Sequence, residues 1–203
     1  HIKPVSENGV LFLMGMVSRL TDQKGVDLVI SALPELLKDG AQVVALGTGT
    51  PALETAWREA THVWPGQVAA MVGFDESLAH QIEAGADVFL MPSRFEPCGL
   101  NQMYSQHYGT PPIVHATGGL ADAVLDAASE PGQPSVSTGF KMNEPTVDEL
   151  VRTVARARTV YADADSWRAV CLNGMALDVS WQGSAAAYAD LYADLVARRA
   201  VAC

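Results

Sequence analysis

The chain has 203 residues, of which 49% are hydrophobic and 7% aromatic, and it carries a formal net charge of −10. The hydrophobic share suits one substantial α/β domain or two small ones and excludes a disordered chain. The negative charge argues against nucleic acid and membrane surfaces as partners, and no apolar run is long enough to span a bilayer.

The cysteines Cys98, Cys171 and Cys203 are odd in number and form no C-x-x-C pair. This usage argues against a disulfide framework or a zinc site and favours a reducing compartment. No signal peptide is recognisable. The chain opens on His1 rather than Met, so we expect it to be a fragment of a longer protein.

Short apolar runs alternate with helical patterns along most of the chain. Strands are predicted at 10–16, 42–46, 67–72, 86–91, 112–115 and 139–142. Between them lie helix signals, such as Asp75 as an N-cap and Gly85 as a stop. This alternation predicts an α/β fold with a doubly wound parallel sheet. The carboxyl ends of its strands then share one edge, which is where ligands bind in such sheets.

The region after the sixth predicted strand changes character. Apolar stripes at helical spacing predict a helical tail over about 146–203, behind a Rossmann-like core over about 10–145, with no clear linker between them. The last stripe contains Tyr188, Leu191, Tyr192 and Leu195. We interpret these stripes as core or docking surface. The stretch 127–138 is rich in Pro, Ser and Gly and predicts a surface loop.

The loop after the first strand carries two cations, Arg19 and Lys24, in a chain with few basic residues. Cations at the carboxyl end of a parallel strand are suited to clamp a diphosphate. The alternative is that both are solvated loop charges. Position alone leaves both interpretations open.

The stretch Pro92–Gln102 follows the fourth strand and combines one acid, Glu96, with a predicted helix start. The backbone N–H groups around Gly99 to Asn101 would open that helix, and such an opening attracts anions. An acid beside an anion seat suggests a substrate with both hydroxyls and phosphates, such as a nucleotide sugar. The alternative is an ordinary Pro-rich loop ending in a cap.

Two further strand ends carry weaker signals. Phe74 follows the third strand, where an aromatic ring either stacks on a base or closes the edge of the core. Thr117 and Gly118 precede a helix after the fifth strand, and paired glycines there let a ligand approach the backbone. A helix start without a ligand explains the same pattern.

Four segments together resemble a known family. They are SRLTDQKG (Ser18 to Gly25), SRFEPCGL (Ser93 to Leu100), YGTPPIV (Tyr108 to Val114) and TGGLADAV (Thr117 to Val124). Their order and their residues resemble the C-terminal half of bacterial glycogen synthases and plant starch synthases. The resemblance extends over nearly the whole chain, and SRFEPCGL is its most specific part.

The resemblance implies a fold and an activity. Members have a GT-B fold, a pair of Rossmann-like domains, and the second domain holds most of the donor. They transfer glucose from ADP-glucose to an α-1,4-glucan, retain the anomeric configuration and need no metal or other cofactor. The N-terminal, acceptor-side domain would be a missing partner of this chain. The implied location is the cytoplasm, or the plastid stroma for a plant or algal source.

The resemblance also implies roles for individual residues. Arg19 and Lys24 match a pair of residues that contact the phosphates and take part in catalysis. Glu96 matches the essential acid that contacts the donor sugar. The other implied donor contacts are Phe74, Cys98, Gly99, Leu100, Asn101, Thr117 and Gly118.

One departure bears on mechanism. Many retaining GT-B enzymes carry a second Glu eight positions after the first, and this chain has Tyr104 there, as is common among the bacterial synthases. The motif therefore assigns one carboxylate rather than two. Alternatives to an ADP-glucose enzyme are a UDP-sugar transferase domain, a nucleotide-binding module without turnover and a glycan-binding scaffold.

Overall fold

The computed structural model describes residues 11–127 and 136–201. Most of the predicted 127–138 loop, and Cys203, therefore lie outside the described residues. The strands are β1 (Leu13–Val17), β2 (Gln42–Gly47), β3 (Val68–Val72), β4 (Val88–Met91), β5 (Pro112–His115) and β6 (Phe140–Met142). The six predicted strands are confirmed, although β1 begins at Leu13 rather than residue 10.

The described strands form one parallel sheet in the order β3-β2-β1-β4-β5-β6. This order confirms the Rossmann-like doubly wound fold. The chain builds the β1–β2–β3 half first and then crosses to the other side of β1 to start the second half. β1 and β4 are therefore neighbours, and the switch in strand order leaves a crevice between their carboxyl ends.

Helices cover both faces of the sheet. They are α1 (Val26–Leu36), α2 (Pro51–Val63), α3 (Glu76–Gly85), α4 (Asn101–His107), α5 (Gly118–Ala123), α6 (Val147–Tyr161), α7 (Ala164–Met175) and α8 (Trp181–Val201). The core on one face includes buried side chains of α1, α2 and α6, and a second cluster includes α3 and α5. None of the described helices combines the length and apolarity needed to cross a membrane.

The helix starts follow local sequence signals. The Asp75 carboxylate accepts a hydrogen bond from the Leu78 N–H at 2.9 Å, which confirms its predicted role as N-cap of α3. Thr146 caps α6 in the same way, through the Glu149 N–H at 3.3 Å. Each cap satisfies a backbone donor that the first helical turn leaves without a partner.

The helical tail is confirmed. It consists of α6, α7 and α8, which differ in how far their apolar side chains are buried. Leu150 and Val154 of α6 are buried, and so is Val170 of α7. The apolar stripe of α8, in contrast, is exposed, with Tyr188 and Tyr192 each more than half accessible. Within the described part of the chain, the last stripe is therefore a surface and not core.

Candidate functional site

A cavity of about 330 Å³ opens at the carboxyl ends of β1 and β4. This is the crevice where the strand order reverses. The predicted site residues that line it are Arg19, Lys24, Glu96, Gly99, Leu100 and Asn101. Residues from two distant loops meet there because β1 and β4 are adjacent in the sheet.

Lys24 and Glu96 form an ion pair in the wall of this cavity. The Lys24 Nζ donates to Glu96 Oε2, and the side chains are only 18% and 9% exposed. The Ser93 hydroxyl donates to the same carboxylate oxygen at 3.3 Å. Glu96 is the one carboxylate among the described residues that line the cavity. The cation and the acid that the sequence predicted separately thus form one charge pair.

Two side-chain amides fix the start of α4, one against the end of β1 and the other against the loop before the helix. Asn101 Nδ2 donates to the Val17 carbonyl at 2.8 Å, and the buried Gln102 amide donates to the Gly99 carbonyl at 3.0 Å. Among the residues that the structure describes, no side chain caps the first turn of α4. Its leading N–H groups are therefore not occupied by a capping oxygen, as the predicted anion seat requires.

Four predicted site residues do not line this cavity, namely Phe74, Cys98, Thr117 and Gly118. Cys98 and Gly118 are exposed and Thr117 is half-buried. The start of α5 instead supports the acid-bearing loop, because the Gly119 N–H donates to the Glu96 carbonyl at 3.0 Å. The Gly118 backbone lies close enough to that carbonyl that a Cβ would overlap it. In this arrangement α5 acts on the site through the backbone of Glu96.

A second cavity of about 420 Å³ adjoins the first, and Arg19 and Asn101 line both. Phe74 lies at its wall and is 90% exposed, so its ring is free to stack on a planar group. Tyr104, which stands at the place of the second family acid, also lines this cavity. Phe74 therefore lines a cavity that shares a wall with the charged cavity.

Glu83 is a buried acid at the second cavity that the sequence analysis missed. Its Oε2 accepts no hydrogen bond from the described residues and lies 3.6 Å from His80 Nδ1. Burial raises the pKa of the Glu83 carboxyl above its ordinary value, and the nearby His80 lowers it in part. Its place within an amphipathic helix gave no sign of this burial.

Glu83→Gln is expected to raise the free energy of unfolding by about 1 kcal/mol at neutral pH, because it removes a buried charge without a hydrogen-bond partner. A carboxyl whose folded pKa exceeds its unfolded value destabilises the fold as pH rises through that pKa. The gain should therefore vanish below about pH 4, where the wild-type carboxyl is protonated in both the folded and the unfolded chain. Thermal unfolding at both pH values tests this. Glu59→Gln, at an exposed acid, is the control, and an equal gain at both pH values contradicts the prediction.

The chain was compared with known proteins by sequence and by structure. The family model described as glycosyl transferases group 1 matches residues 2–167. A glycogen synthase of Aromatoleum aromaticum is 58% identical over 190 residues, which cover 94% of this chain and 38% of that protein. A glycogen synthase of Halorhodospira halophila is 52% identical, with coverage of 92% and 39%. The chain thus spans about two fifths of the length of these curated relatives.

Solved structures agree with this relationship. The catalytic domain of starch synthase IV from Arabidopsis thaliana, bound to ADP and acarbose, superposes with a TM-score of 0.83 at 33% identity, covering 95% of this chain and 40% of that one. The C-terminal domain of a group 1 glycosyl transferase from Francisella tularensis shares the fold, with a TM-score of 0.63 at 18% identity and coverage of 81% and 82%. This chain therefore belongs to the group 1 glycosyl transferases and is homologous to the C-terminal part of bacterial glycogen synthases.

Proposed function

We propose that the chain is the donor-binding part of a retaining glucosyltransferase that uses ADP-glucose to extend an α-1,4-glucan. The observation that carries this proposal is the switch-point cavity, in which one acid and two cations meet the start of α4. The glycogen synthases among its relatives, and the starch synthase solved with ADP, support the substrate class.

The cations would act on the leaving group. Breaking the sugar–phosphate bond places growing negative charge on the diphosphate, and Arg19 and Lys24 are available at the cavity wall to stabilise it. Contacts that strengthen as charge develops lower the barrier, each by roughly 2–4 kcal/mol when water is excluded. Glu96 would stabilise the positive charge that develops on the sugar.

The single carboxylate favours a particular route to retention. A covalent two-carboxylate mechanism needs its carboxyl groups about 5–5.5 Å apart, and among the described residues Glu96 is the one carboxylate that lines the cavity. We therefore propose attack on the face that the diphosphate leaves, with a phosphate oxygen accepting the proton of the acceptor hydroxyl and with no metal cofactor. Trapping a glycosyl adduct on Glu96 would overturn this scheme.

The second cavity would hold the nucleoside. Phe74 offers an exposed ring for stacking. Arg19 and Asn101 line both this cavity and the first one, where the phosphates would bind. Stacking alone does not distinguish adenine from uracil, so a UDP-sugar donor is the competing proposal within the same enzyme class. Relative affinity for ADP and UDP decides between them.

The rest of the longer protein would supply the acceptor side, and we propose the cytoplasm as its location. The exposed stripe of α8 supports a docking role in that assembly, because Tyr188, Leu191, Tyr192 and Leu195 leave one apolar face accessible. The glucan acceptor itself would be bound mainly outside this chain. We accordingly propose that the isolated chain binds nucleotide without turnover.

Calorimetric titration of ADP, UDP and ADP-glucose into the chain tests the proposed donor site. ADP and ADP-glucose are expected to bind more tightly than UDP. Lys24→Ala should weaken ADP binding by about 30-fold or more, since it removes a contact of roughly 2 kcal/mol and leaves Glu96 as an unpaired negative charge. Lys38→Ala, at an exposed lysine paired with Glu35, is the matched control.

Three outcomes would redirect the assignment. Unchanged ADP affinity in Lys24→Ala contradicts the phosphate clamp. Retention on glycogen without any ADP binding favours a glycan-binding scaffold. Incorporation of labelled glucose into glycogen by the isolated chain would contradict a module without turnover.

A further inference from the structure

Arg94 lies two positions before Glu96 and joins the two loops that build the charged cavity. Its Nη1 and Nη2 atoms donate to Asp27 Oδ1 and Oδ2, both at 2.7 Å. Nη1 also donates to the Asp22 carbonyl. Two parallel bonds between a guanidinium and a carboxylate fix both the distance and the relative orientation of their carriers.

The backbone repeats the same connection. The Arg94 N–H donates to the Gln23 carbonyl at 2.8 Å, and the Gln23 side-chain amide donates to the Phe95 carbonyl at 3.3 Å. The loop after β1 is thereby attached to the loop after β4 through main chain as well as side chains. These are the loops that carry Lys24 and Glu96.

Arg94 and Asp27 do not themselves line either of the two cavities. Each instead lies within three residues of a member of the Lys24–Glu96 pair. The hydrogen-bonded ion pair lowers the pKa of Asp27 and raises that of Arg94. The Arg94–Asp27 pair can therefore affect a bound substrate only through Lys24 and Glu96, whose loops it aligns.

We propose that the Arg94–Asp27 ion pair is a positioning device of the donor site, which holds the Lys24 loop against the Glu96 loop so that cation and acid face one diphosphate sugar. This inference rests on the proposed function. Arg94 and Asp27 are positioning residues rather than catalytic ones. The pair sets where Lys24 Nζ stands, and thereby how well it meets the phosphate.

The chain contains a matched control for this pair. Arg156 makes the same two-bond contact with Asp126, at 2.7 and 2.9 Å, and joins α6 to the segment after α5, away from the cavity. The side chains of Arg156 and Asp126 are 21% and 39% exposed, compared with 36% and 34% for Arg94 and Asp27. Asp27→Asn and Asp126→Asn therefore remove similar ion pairs in different places.

The first measurement is a double-mutant cycle on ADP affinity in the 203-residue chain. Asp27→Asn is expected to weaken ADP binding about tenfold, and Asp126→Asn to leave it unchanged. In a Lys24→Met background the Asp27→Asn loss should shrink to less than about twofold, because the residue it positions is gone. Equal losses in both backgrounds, or equal effects of the two Asp variants, would overturn the proposal. Arg94→Lys keeps the charge without the two-bond geometry and should reproduce the pattern if Asp27→Asn folds poorly.

The second measurement needs no nucleotide. Acylation of Lys24 by a water-soluble acetylating reagent, followed by mass spectrometry, reports how tightly its amine is held beside Glu96. The Lys24 rate should rise several-fold in Asp27→Asn and stay at the wild-type value in Asp126→Asn. An unchanged rate in Asp27→Asn overturns the positioning role. If neither the wild type nor any variant binds ADP, the proposed function fails. The labelling rate of Lys24 still decides, in that case, whether the Arg94–Asp27 pair positions it.

Discussion

Gly118→Ala is expected to lower the free energy of unfolding by roughly 2–4 kcal/mol and to abolish ADP binding. Gly118 has φ = +46°, a left-handed conformation that costs a residue with a Cβ about 1–2 kcal/mol. The added methyl would also overlap the Glu96 carbonyl oxygen and lie 3.0 Å from the Glu96 carbonyl carbon. Because both obstacles are backbone atoms, the loop that carries the acid has to move.

Gly85→Ala provides the comparison, because a Cβ there meets no atom within 4 Å and the backbone is not left-handed. That variant should unfold near the wild-type temperature and bind ADP normally. Thermal unfolding and calorimetry on both variants separate a general cost of replacing glycine from a local one. Wild-type ADP affinity in Gly118→Ala would show that the start of α5 does not support the Glu96 loop.

The strands were predictable because each is a short apolar run in a sheet covered on both faces. Val88–Met91, for example, has every residue buried, so its sequence shows no polar alternation. The strand order was not predictable from periodicity, which contains no information on partners. That β4 pairs with β1 rather than with β3 follows from the crossover of the chain, and this pairing creates the site.

The site was predictable to the level of loops but not of pairs. Arg19, Lys24 and Glu96 were identified because they follow strands whose carboxyl ends share an edge. The ion pair between Lys24 and Glu96 was not, since nothing in two loops 72 positions apart specifies which charges meet. Arg94 is the one Lys or Arg between Arg58 and Lys141 in the sequence, and its role depends on Asp27, which lies 67 positions earlier in the chain.

Burial explains the remaining misses. Glu83 sits at a helical position whose accessibility depends on how α3 packs beside β1 and α4, and the sequence reports only an acid in an amphipathic helix. The α8 stripe is the converse case. Its spacing predicted a buried or docking face, and whether such a face is covered depends on a partner, not on the stripe itself.

Glu96→Gln is expected to tighten ADP binding by about tenfold, which corresponds to about 1.4 kcal/mol. The Glu96 carboxylate pairs with Lys24 and occupies the same cavity wall, so an incoming diphosphate competes with it for the amine. The neutral amide removes both that competition and the repulsion between two anions. The gain should shrink as salt is added, since it is electrostatic. Glu149→Gln, at an acid paired with Arg152 away from the cavity, should leave ADP affinity unchanged.

The same substitution should lower glucose transfer in the complete protein by a factor of roughly 10² to 10³, because it removes the charge proposed to stabilise the developing cation on the sugar. Affinity for the product nucleotide and turnover would then move in opposite directions. Lys24→Ala, by comparison, should reduce both. Weaker ADP binding in Glu96→Gln would mean that the acid serves mainly to hold Lys24 in place. Comparing the two variants therefore separates a carboxylate that competes with the diphosphate from one that only orients the cation.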